Sequence, residues 1–494
     1  MNGKTNTPKK QVGKRGGRSG GCGGKQKKSS VVVLSQEQED ILKQKAEEIS
    51  KRLKSFTWRD LETSGKFSRN DKLTFIRDDM LIVGCDIGSE THYVRAIDTK
   101  GRELSKGAFS FENNAEGFQS AKDWALHLAA QHGKNQIVLG LEPTGHYWFS
   151  LAAWMIANGI SVVQVNPYAV KQTKELEDNS QAKNDVKDPK LIADLVKNGN
   201  YGMPYLPEDV YAELRVLCTL RDQLMEDKVR NMNRLHREMK IVFPEYKEAF
   251  GKIDGVFTLS ILATAPLPSE LAALGEDGVK DIWHAEKLRG GGYKRAKEIV
   301  RLASVSAGVT QGAEARKLAI ASFVGKVKEL EAELEEIEEQ ISQKCREIPH
   351  AENVLEINGL GEATISGILA EMGDIERFDA AKEIQKLSGL GLVACSSGKH
   401  QGQTKISHRG RKRLRYWLFQ GALSVVSHNE AFRQIHAYYT TRAENPLKKM
   451  QSITVIACKL LRIIFTILKK GVRFDSEKMM RDIIYPTQQE AASA

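Results

Sequence analysis

The chain has 494 residues, a formal net charge of +11 and a hydrophobic fraction of 41%. This length is enough for three or four domains with packed cores. The six cysteines are scattered, with no CxxC pair and no cysteine–histidine ligand spacing. That pattern excludes a disulfide scaffold and a structural zinc site, and it is typical of a reducing cytoplasm.

Neither end of the chain predicts a membrane segment. The N-terminal segment is polar and basic and lacks the apolar centre of a secretory signal. Ile453–Leu468 is the most apolar late stretch, but it contains Lys459 and Arg462 and is too short for a membrane span. We therefore expect a core helix there, a cytoplasmic protein and no membrane partner.

Much of the positive charge lies at the N-terminus. Met1–Ser30 contains nine Lys and Arg residues, many Gly and Ser residues, and no acid. Such a composition predicts a disordered tail that attracts polyanions without sequence preference. A tail that only increases solubility is an equally good interpretation. Gln36–Lys54, which follows, has the apolar spacing of an accessory helix.

From Leu81 onward, short apolar runs alternate with helical patterns, which indicates a layered α/β domain. The first run ends at Asp86, the run at Gln136–Leu141 precedes Glu142, the run at Ile160–Val165 is closed by Asn166-Pro167, and one helix ends at Gly159. The predicted strands are Leu81–Cys85, Thr91–Asp98, Arg102–Phe111, Gln136–Leu141 and Ile160–Val165, and the predicted helices are Ala115–Gln131 and His146–Asn158.

Four carboxylates stand at the ends of these elements. Asp86 ends the first predicted strand and Glu142 ends the fourth, whereas Asp185 and Asp188 are three residues apart and share a face if that stretch is helical. Together they could form an all-oxygen cage for Mg²⁺, and two such ions serve in-line phosphoryl chemistry. Spacing alone does not distinguish this cage from ordinary strand-end turns.

Three motifs strengthen the metal-site interpretation. DIGSETHYV, LEPTGHYW and KNDVKDPKLIADL, in this order, resemble the acidic motifs of DEDD transposases whose type member is insertion sequence one-ten, a family that includes Piv-type invertases. The resemblance implies a RuvC-like (ribonuclease H-like) catalytic domain whose metal ligands are Asp86, Glu142, Asp185 and Asp188. It also implies Mg²⁺, with two ions and Mn²⁺ as a substitute. Pro189 departs from the alanine common in the family, but proline is accepted at a helix start.

The middle of the chain changes to a helical period. Leu214, Leu217, Leu224 and Leu235 follow one long helix, and Val327–Ile348 carries a heptad seam. An intramolecular helical hairpin and a coiled coil between subunits explain this pattern equally well. A helical insertion, residues 250–321, lies between the two helices. The seam residues are Leu330, Leu334, Ile337 and Ile341.

Two features of the C-terminal part predict contacts with nucleic acid. Gly359 and Gly361 precede an alanine-rich helix, as in a helix-hairpin-helix whose turn offers free N–H groups to phosphate. A basic run before the apolar helix Trp417–Val426 contains no acid, although a solvated face is the alternative. The run consists of Lys399, Lys405, Arg409, Arg411, Lys412, Arg413 and Arg415.

The same resemblance extends to Pro349–Gly471, which is similar to the C-terminal transposase domain of the family. It implies a catalytic serine at Ser397, before Gly398; Ser396 is the rival, and an inert Ser-Gly turn is the remaining alternative. Ser397 follows Asp188 by 209 residues, so the two halves of the site are expected to meet between subunits. The resemblance further implies donor and target DNA, a structured guide (bridge) RNA and a dimer or tetramer.

The resulting hypothesis is an RNA-guided, Mg²⁺-dependent DNA recombinase that acts through a phosphoserine intermediate. Its rivals are a junction-resolving nuclease that uses only the carboxylates, an unguided Piv-like invertase, and a non-catalytic nucleic-acid scaffold. The predicted fold is α/β followed by α. Its parts are a tail with an accessory helix (1–80), the RuvC-like domain (81–205), a helical coiled-coil domain (206–349), a mostly helical transposase domain (350–480) and a tail (481–494).

Overall fold

The computed structural model describes residues 69–178, 188–290, 292–393, 396–397, 400–401 and 405–481. The basic N-terminal tail, the accessory helix at Gln36–Lys54, Asp185 and Lys399 lie outside the described residues.

The described chain begins with an α/β part and continues as mostly helical structure with a few two-residue strands. The strands are β1 (Met80–Asp86), β2 (Thr91–Ile97), β3 (Phe109–Glu112), β4 (Gln136–Leu141), β5 (Ser161–Val165), β6 (Tyr201–Gly202), β7 (Leu392–Val393), β8 (Ser396–Ser397), β9 (His400–Gln401) and β10 (Lys405–Ile406). The helices of the α/β part are α1 (Arg69–Phe75), α2 (Ala115–Gln131), α3 (Trp148–Ala157), α4 (Pro167–Asp178) and α5 (Asp188–Lys197). Those of the middle are α6 (Asp209–Val242), α7 (Tyr246–Phe250), α8 (Val256–Thr264), α9 (Pro268–Ala285), α10 (Tyr293–Ser304) and α11 (Ala313–Arg346). Those of the C-terminal part are α12 (Ala351–Leu355), α13 (Glu362–Met372), α14 (Ala381–Leu387), α15 (Lys412–His428), α16 (Glu430–Thr441), α17 (Lys449–Lys470) and α18 (Ser476–Met480), with a 3₁₀ turn at Ile375–Arg377.

A six-stranded mixed sheet organises the α/β part. Its strand order is β3-β2-β1-β4-β5-β6, with β1, β4 and β5 parallel and the outer strands antiparallel. Helices α2 and α3 pack on one face, and α1, α4 and α5 pack on the other. The central strand β1 is buried from Met80 to Cys85 because both faces are covered. The predicted α/β layering is confirmed.

The predicted strand Arg102–Phe111 is wrong over most of its length. Only Phe109–Glu112 forms a strand, and Glu103 makes an isolated bridge to Ile97. The Ala96 N–H donates a hydrogen bond to the Ser105 hydroxyl (3.3 Å). If the two strands continued to pair, this N–H would donate to a backbone carbonyl instead. Pairing with β2 therefore stops there and resumes at Phe109.

Two long helices form an antiparallel hairpin in the middle of the chain. Helices α6 and α11 have 34 residues each, about 51 Å at 1.5 Å per residue. Ion pairs join Arg221 to Glu338 (2.6 Å) and Lys228 to Glu331 (2.8 Å), so residue numbers rise along one helix as they fall along the other. Of the predicted heptad seam, Leu334 and Ile341 are buried. The seam therefore serves the intramolecular hairpin, the first of the two alternatives.

The helices between these two arms build a separate core. Trp283, Phe243 and Tyr246 are its largest buried side chains, and the indole N–H of Trp283 donates to the carbonyl of Phe257 (3.0 Å). The segment 250–321 is thus helical, as its sequence predicts.

Helix α17 is the centre of the C-terminal part and packs on α14, α15 and α16. By length and composition alone this helix could cross a membrane, and so could α8 and α9 if that bent pair counted as one span. Half of the apolar window of α17 is buried against the neighbouring helices, which is typical of the core helix predicted at Ile453–Leu468.

Candidate active site

Two of the predicted acids emerge from neighbouring parallel strands. Asp86 is the last residue of β1, and Glu142 directly follows Leu141 at the end of β4. Cys85 pairs with Leu141 in the parallel ladder, so the two carboxylates follow paired residues on strands about 4.8 Å apart. Both acids are half-buried, and both interact with protein groups.

Helix α5 brings the third acid to the same end of the sheet. Asp188 is its first residue, and the helix crosses β1 and β4 at two glycines. A Cβ on Gly84 would lie 1.9 Å from the carbonyl oxygen of Pro189, and one on Gly140 would lie 2.4 Å from Val196. The absence of side chains at both positions lets the helix lie directly on the strands, with its N-terminus near Asp86.

The chemistry of this region is that of oxygen ligands. Burial raises the pKa of the Cys85 thiol well above its ordinary value, and the Asp86 carboxylate raises it further, so a thiolate ligand is disfavoured. Three carboxylates from β1, β4 and α5 fit a hard divalent ion. Among the described residues, no three His, Cys, Asp or Glu side chains converge into a complete metal site. Asp185, the fourth predicted ligand, lies outside them, so the cage stays a prediction.

An ammonium group already stands at one of these acids. Nζ of Lys174, in α4, donates to both carboxylate oxygens of Asp188, at 2.7 and 2.9 Å. The two side chains are 24% and 13% exposed. A cation thus faces Asp188, so the position of this carboxylate suits a positively charged partner.

The segment that carries the predicted serine is a short ribbon. Leu392 pairs with Ile406 and Val393 with Lys405, and nearer the tip Ser397 pairs with His400 through the backbone. The Ser397 side chain lies outside the described parts of the chain.

The C-terminal part contacts the α/β part within one chain. The Arg409 guanidinium, just after the ribbon, lies 4.7 Å from the ring centre of Tyr168 in α4. The Arg377 guanidinium carbon lies 3.2 Å from the ring centre of Tyr205, which follows β6. Tyr168 precedes Lys174 by six residues, about 9 Å of helix rise, so one helix touches both Asp188 and the flank of the ribbon.

Comparison with known families covers both of these parts. A DEDD transposase model of the IS110 type, described as a transposase, matches residues 83–244, and a second model, described as the transposase IS116/IS110/IS902 family, matches residues 351–438. This chain belongs to the IS110 family of transposases. It is therefore an enzyme that acts on DNA by phosphoryl transfer.

Two insertion-element proteins match the transposase over nearly their whole length, and a third relative matches it over three quarters of its length. The insertion element IS116 uncharacterized 44.8 kDa protein of Streptomyces clavuligerus is 22% identical over 80% of this chain and 96% of its own length. The insertion element IS900 uncharacterized 42 kDa protein of Mycobacterium paratuberculosis is 23% identical over 78% and 95%. The pilin gene-inverting protein of Moraxella bovis is 26% identical over 49% of this chain and 75% of its own length.

The basic run of the transposase divides into two sets. Lys405, Arg409 and Lys412 are exposed, whereas three arginines donate to protein acceptors. Arg411 donates to the carbonyl of Glu371 (2.7 Å), Arg413 to Asp222 and the carbonyl of Cys218, and Arg415 to the carbonyl of Ser388 (2.8 Å). Burial lowers the pKa of Arg411 to about 10. Nucleic-acid contacts remain a prediction for all of them, but the exposed set is the better placed.

The boundary predicted for the helix after this run is wrong. It was expected at Trp417–Val426, whereas α15 extends from Lys412 to His428. Arg413 and Arg415 can stand in the first turn because they face acceptors on α6 and on Ser388, which compensate for positive charge at a helix N-terminus.

The predicted glycine turn is present between α12 and α13. Gly359 has a φ of +96°, and a Cβ there would lie 3.0 Å from Cα of Val425, so this glycine is needed for packing on α15. Gly361 caps α13 and is exposed, which leaves its role in phosphate binding a prediction.

Sequence patterns gave no signal for Lys174, Tyr168 or Tyr205. Lys174 is 14 residues before Asp188, and the sequence between them has no regular spacing of apolar residues. Tyr168 and Tyr205 belong to no recognised motif.

Proposed function

We propose that this transposase cleaves and exchanges DNA strands in a Mg²⁺-dependent reaction, with a ribonuclease H-like domain supplying the metal ligands and Ser397 the nucleophile. One observation carries the metal half: Asp86 and Glu142 follow paired residues of neighbouring parallel strands, and Asp188 begins the helix that lies across the same face. The strand order with β1 in the centre also supports the ribonuclease H-like assignment.

In this proposal Asp86, Glu142, Asp185 and Asp188 hold the ion or ions. A metal held by these residues would supply polarisation of the scissile phosphate and stabilisation of its developing charge. The Ser397 oxygen forms a bond to phosphorus, and the bond from phosphorus to a deoxyribose oxygen breaks. Serine loses one proton and the leaving deoxyribose oxygen gains one, so the step is balanced. The ester conserves the phosphodiester energy, so a hydroxyl from a second strand can reverse the step and release Ser397.

We further propose that a structured guide RNA and a homo-oligomer complete the active complex. Exposed Lys405, Arg409 and Lys412 beside the ribbon support contacts with phosphates, since lysine and arginine neutralise them without reading sequence. Base pairing would then select the DNA sites. Similarity to the pilin gene-inverting protein favours a second candidate, an invertase without a guide.

The serine route is tested with end-labelled DNA on a denaturing gel, using wild-type protein, Ser397→Ala, Ser396→Ala and Asp86→Asn. We expect label that migrates with wild-type and Ser396→Ala protein. Ser397→Ala should lower the adduct by at least about 10³-fold, the scale for loss of a nucleophile. Asp86→Asn should remove it while the circular dichroism spectrum is unchanged.

Free cut ends from Ser397→Ala at the wild-type rate would overturn the serine route in favour of hydrolysis by the carboxylates alone. Equal nucleic-acid binding with EDTA and with Mg²⁺, and no product in either, would favour a scaffold.

Guidance is tested by sequencing the RNA that co-purifies with the protein. One structured species that restores recombination to nuclease-treated protein supports the guide. Full recombination after complete RNA removal would favour the invertase.

A further inference from the structure

We propose that Lys174 is an internal counter-ion that neutralises Asp188 before the metal arrives and is displaced from it by the metal. Binding of the divalent ion and release of Lys174 are then one event. This inference rests on the metal site proposed above and assigns a positioning role to a lysine outside the acidic motifs.

The geometry shows why the two cations compete. Nζ of Lys174 lies 2.7 and 2.9 Å from the two carboxylate oxygens of Asp188, so the ammonium faces both at once. A magnesium or manganese ion requires at least one of these oxygens at about 2.1 Å. A positive ammonium and a divalent cation repel each other strongly at that separation. Lys174 must therefore move when the metal binds.

The surroundings show why a counter-ion is useful. Without a metal, Asp188 would face the ends of β1 and β4, where Asp86 and Glu142 add two further carboxylates. The Lys174 and Asp188 side chains are 24% and 13% exposed, so solvent only partly screens the charges. The ammonium compensates one of these charges and holds α4 against α5, which pack on the same face of the sheet.

The pair has a matched control within α4. Lys171 lies one helical turn before Lys174 and is exposed. Lys171→Met removes the same charge from the same helix but leaves the contact with Asp188. Any difference in Mn²⁺ affinity between Lys171→Met and Lys174→Met therefore reports the contact of Lys174 with Asp188 and not the loss of one positive charge.

The experiment is titration calorimetry of the full chain with MnCl₂. We expect Lys174→Met to bind Mn²⁺ about five-fold more tightly than Lys171→Met, the equivalent of about 1 kcal/mol for a partly exposed ion pair. Lys174→Arg, which keeps a bidentate cation at Asp188, should bind no more tightly than wild type. In thermal unfolding, Mn²⁺ should raise the midpoint of Lys174→Met more than that of Lys171→Met.

Three outcomes would overturn the inference, and only one of them would also overturn the metal site. If wild type binds Mn²⁺, Asp86→Asn does not, and the two Met variants have equal affinity, then Lys174 does not compete and the metal site stands. If no variant binds Mn²⁺, the metal site and the role of Lys174 both fail. Should Lys174→Met not fold, affinity of Lys174→Arg above wild type would also contradict competition.

Discussion

Gly84 decides how closely α5 approaches the sheet, and through it the position of Asp188. It lies two residues before Asp86 on β1, and a Cβ there would be 1.9 Å from the Pro189 carbonyl oxygen and 2.6 Å from the Ala193 nitrogen. Both atoms belong to the helix backbone, so no rotamer change relieves the overlap. A methyl group at this position must displace the helix itself.

We therefore expect Gly84→Ala to lower the free energy of unfolding by about 1–3 kcal/mol, the usual cost of overpacking a core. Urea unfolding followed by circular dichroism measures it. Gly202→Ala is the control, since a Cβ on that strand residue of the same sheet would meet no atom within 4 Å. Equal losses in the two variants would show that the contact with α5 is not the cause.

At the level of whole elements, the first turn of α15 separates a structural arginine from an exposed lysine. Arg413 donates to Asp222 on α6 and lies 3.5 Å from Glu371 on α13, so it ties three helices together. Its neighbour Lys412 is exposed. The two residues were predicted alike from the sequence because a basic run does not reveal which side chains face protein.

Arg413→Ala should lower the free energy of unfolding by about 1–2 kcal/mol, since it leaves Asp222 without this partner in a partly exposed site. Lys412→Ala should change that free energy by less than about 0.5 kcal/mol but reduce the salt slope of DNA binding by about 1. Urea unfolding and fluorescence anisotropy at several salt concentrations measure the two effects. A reversed pattern would mean that Arg413 meets DNA and Lys412 supports the fold.

The sequence pattern correctly predicted the elements whose bounds depend on neighbouring residues. The helix Ala115–Gln131 has the predicted bounds because the Asn114 side chain caps it by accepting from the Gly117 N–H (2.7 Å). Strands β1 and β4 were also predicted, since a buried strand is a continuous apolar run. The predicted strand from Arg102 was wrong because the Ala96 N–H donates to the side chain of Ser105 and not to a backbone carbonyl.

The site was predictable only as far as motifs extend. Asp86 and Glu142 were predicted at strand ends, and both do follow strands, which pair in parallel at Cys85 and Leu141. Lys174 meets Asp188 only because α4 and α5 pack on one face, and Arg409 meets Tyr168 only because two distant parts of the chain dock. Such contacts depend on tertiary packing, which no periodicity in a single sequence encodes.

On the scale of the whole molecule, the described start of the ribbon that carries Ser397 exposes apolar side chains. Leu392 is 71% exposed and Val393 is 50% exposed at its start, although both are large apolar residues. Its flank is anchored on α4 by Arg409. Since exposed apolar patches often mark interaction sites, we expect another surface to cover these side chains in the active complex. A second subunit is the surface that the predicted oligomer supplies.

If the serine acts on the partner's metal site, two inactive variants should restore each other. In a heterodimer of Asp86→Asn and Ser397→Ala, one site contains both substitutions and the other contains neither. Random mixing should then give about a quarter of wild-type sites, since half of the dimers are mixed and each has one intact site. The measurement is recombination product from the two variants refolded or co-expressed together, with each variant alone as the control. Activity no higher in the mixture than in either variant, with mixed oligomers demonstrated by tagged pull-down, would place Asp86 and Ser397 in one site within a single chain.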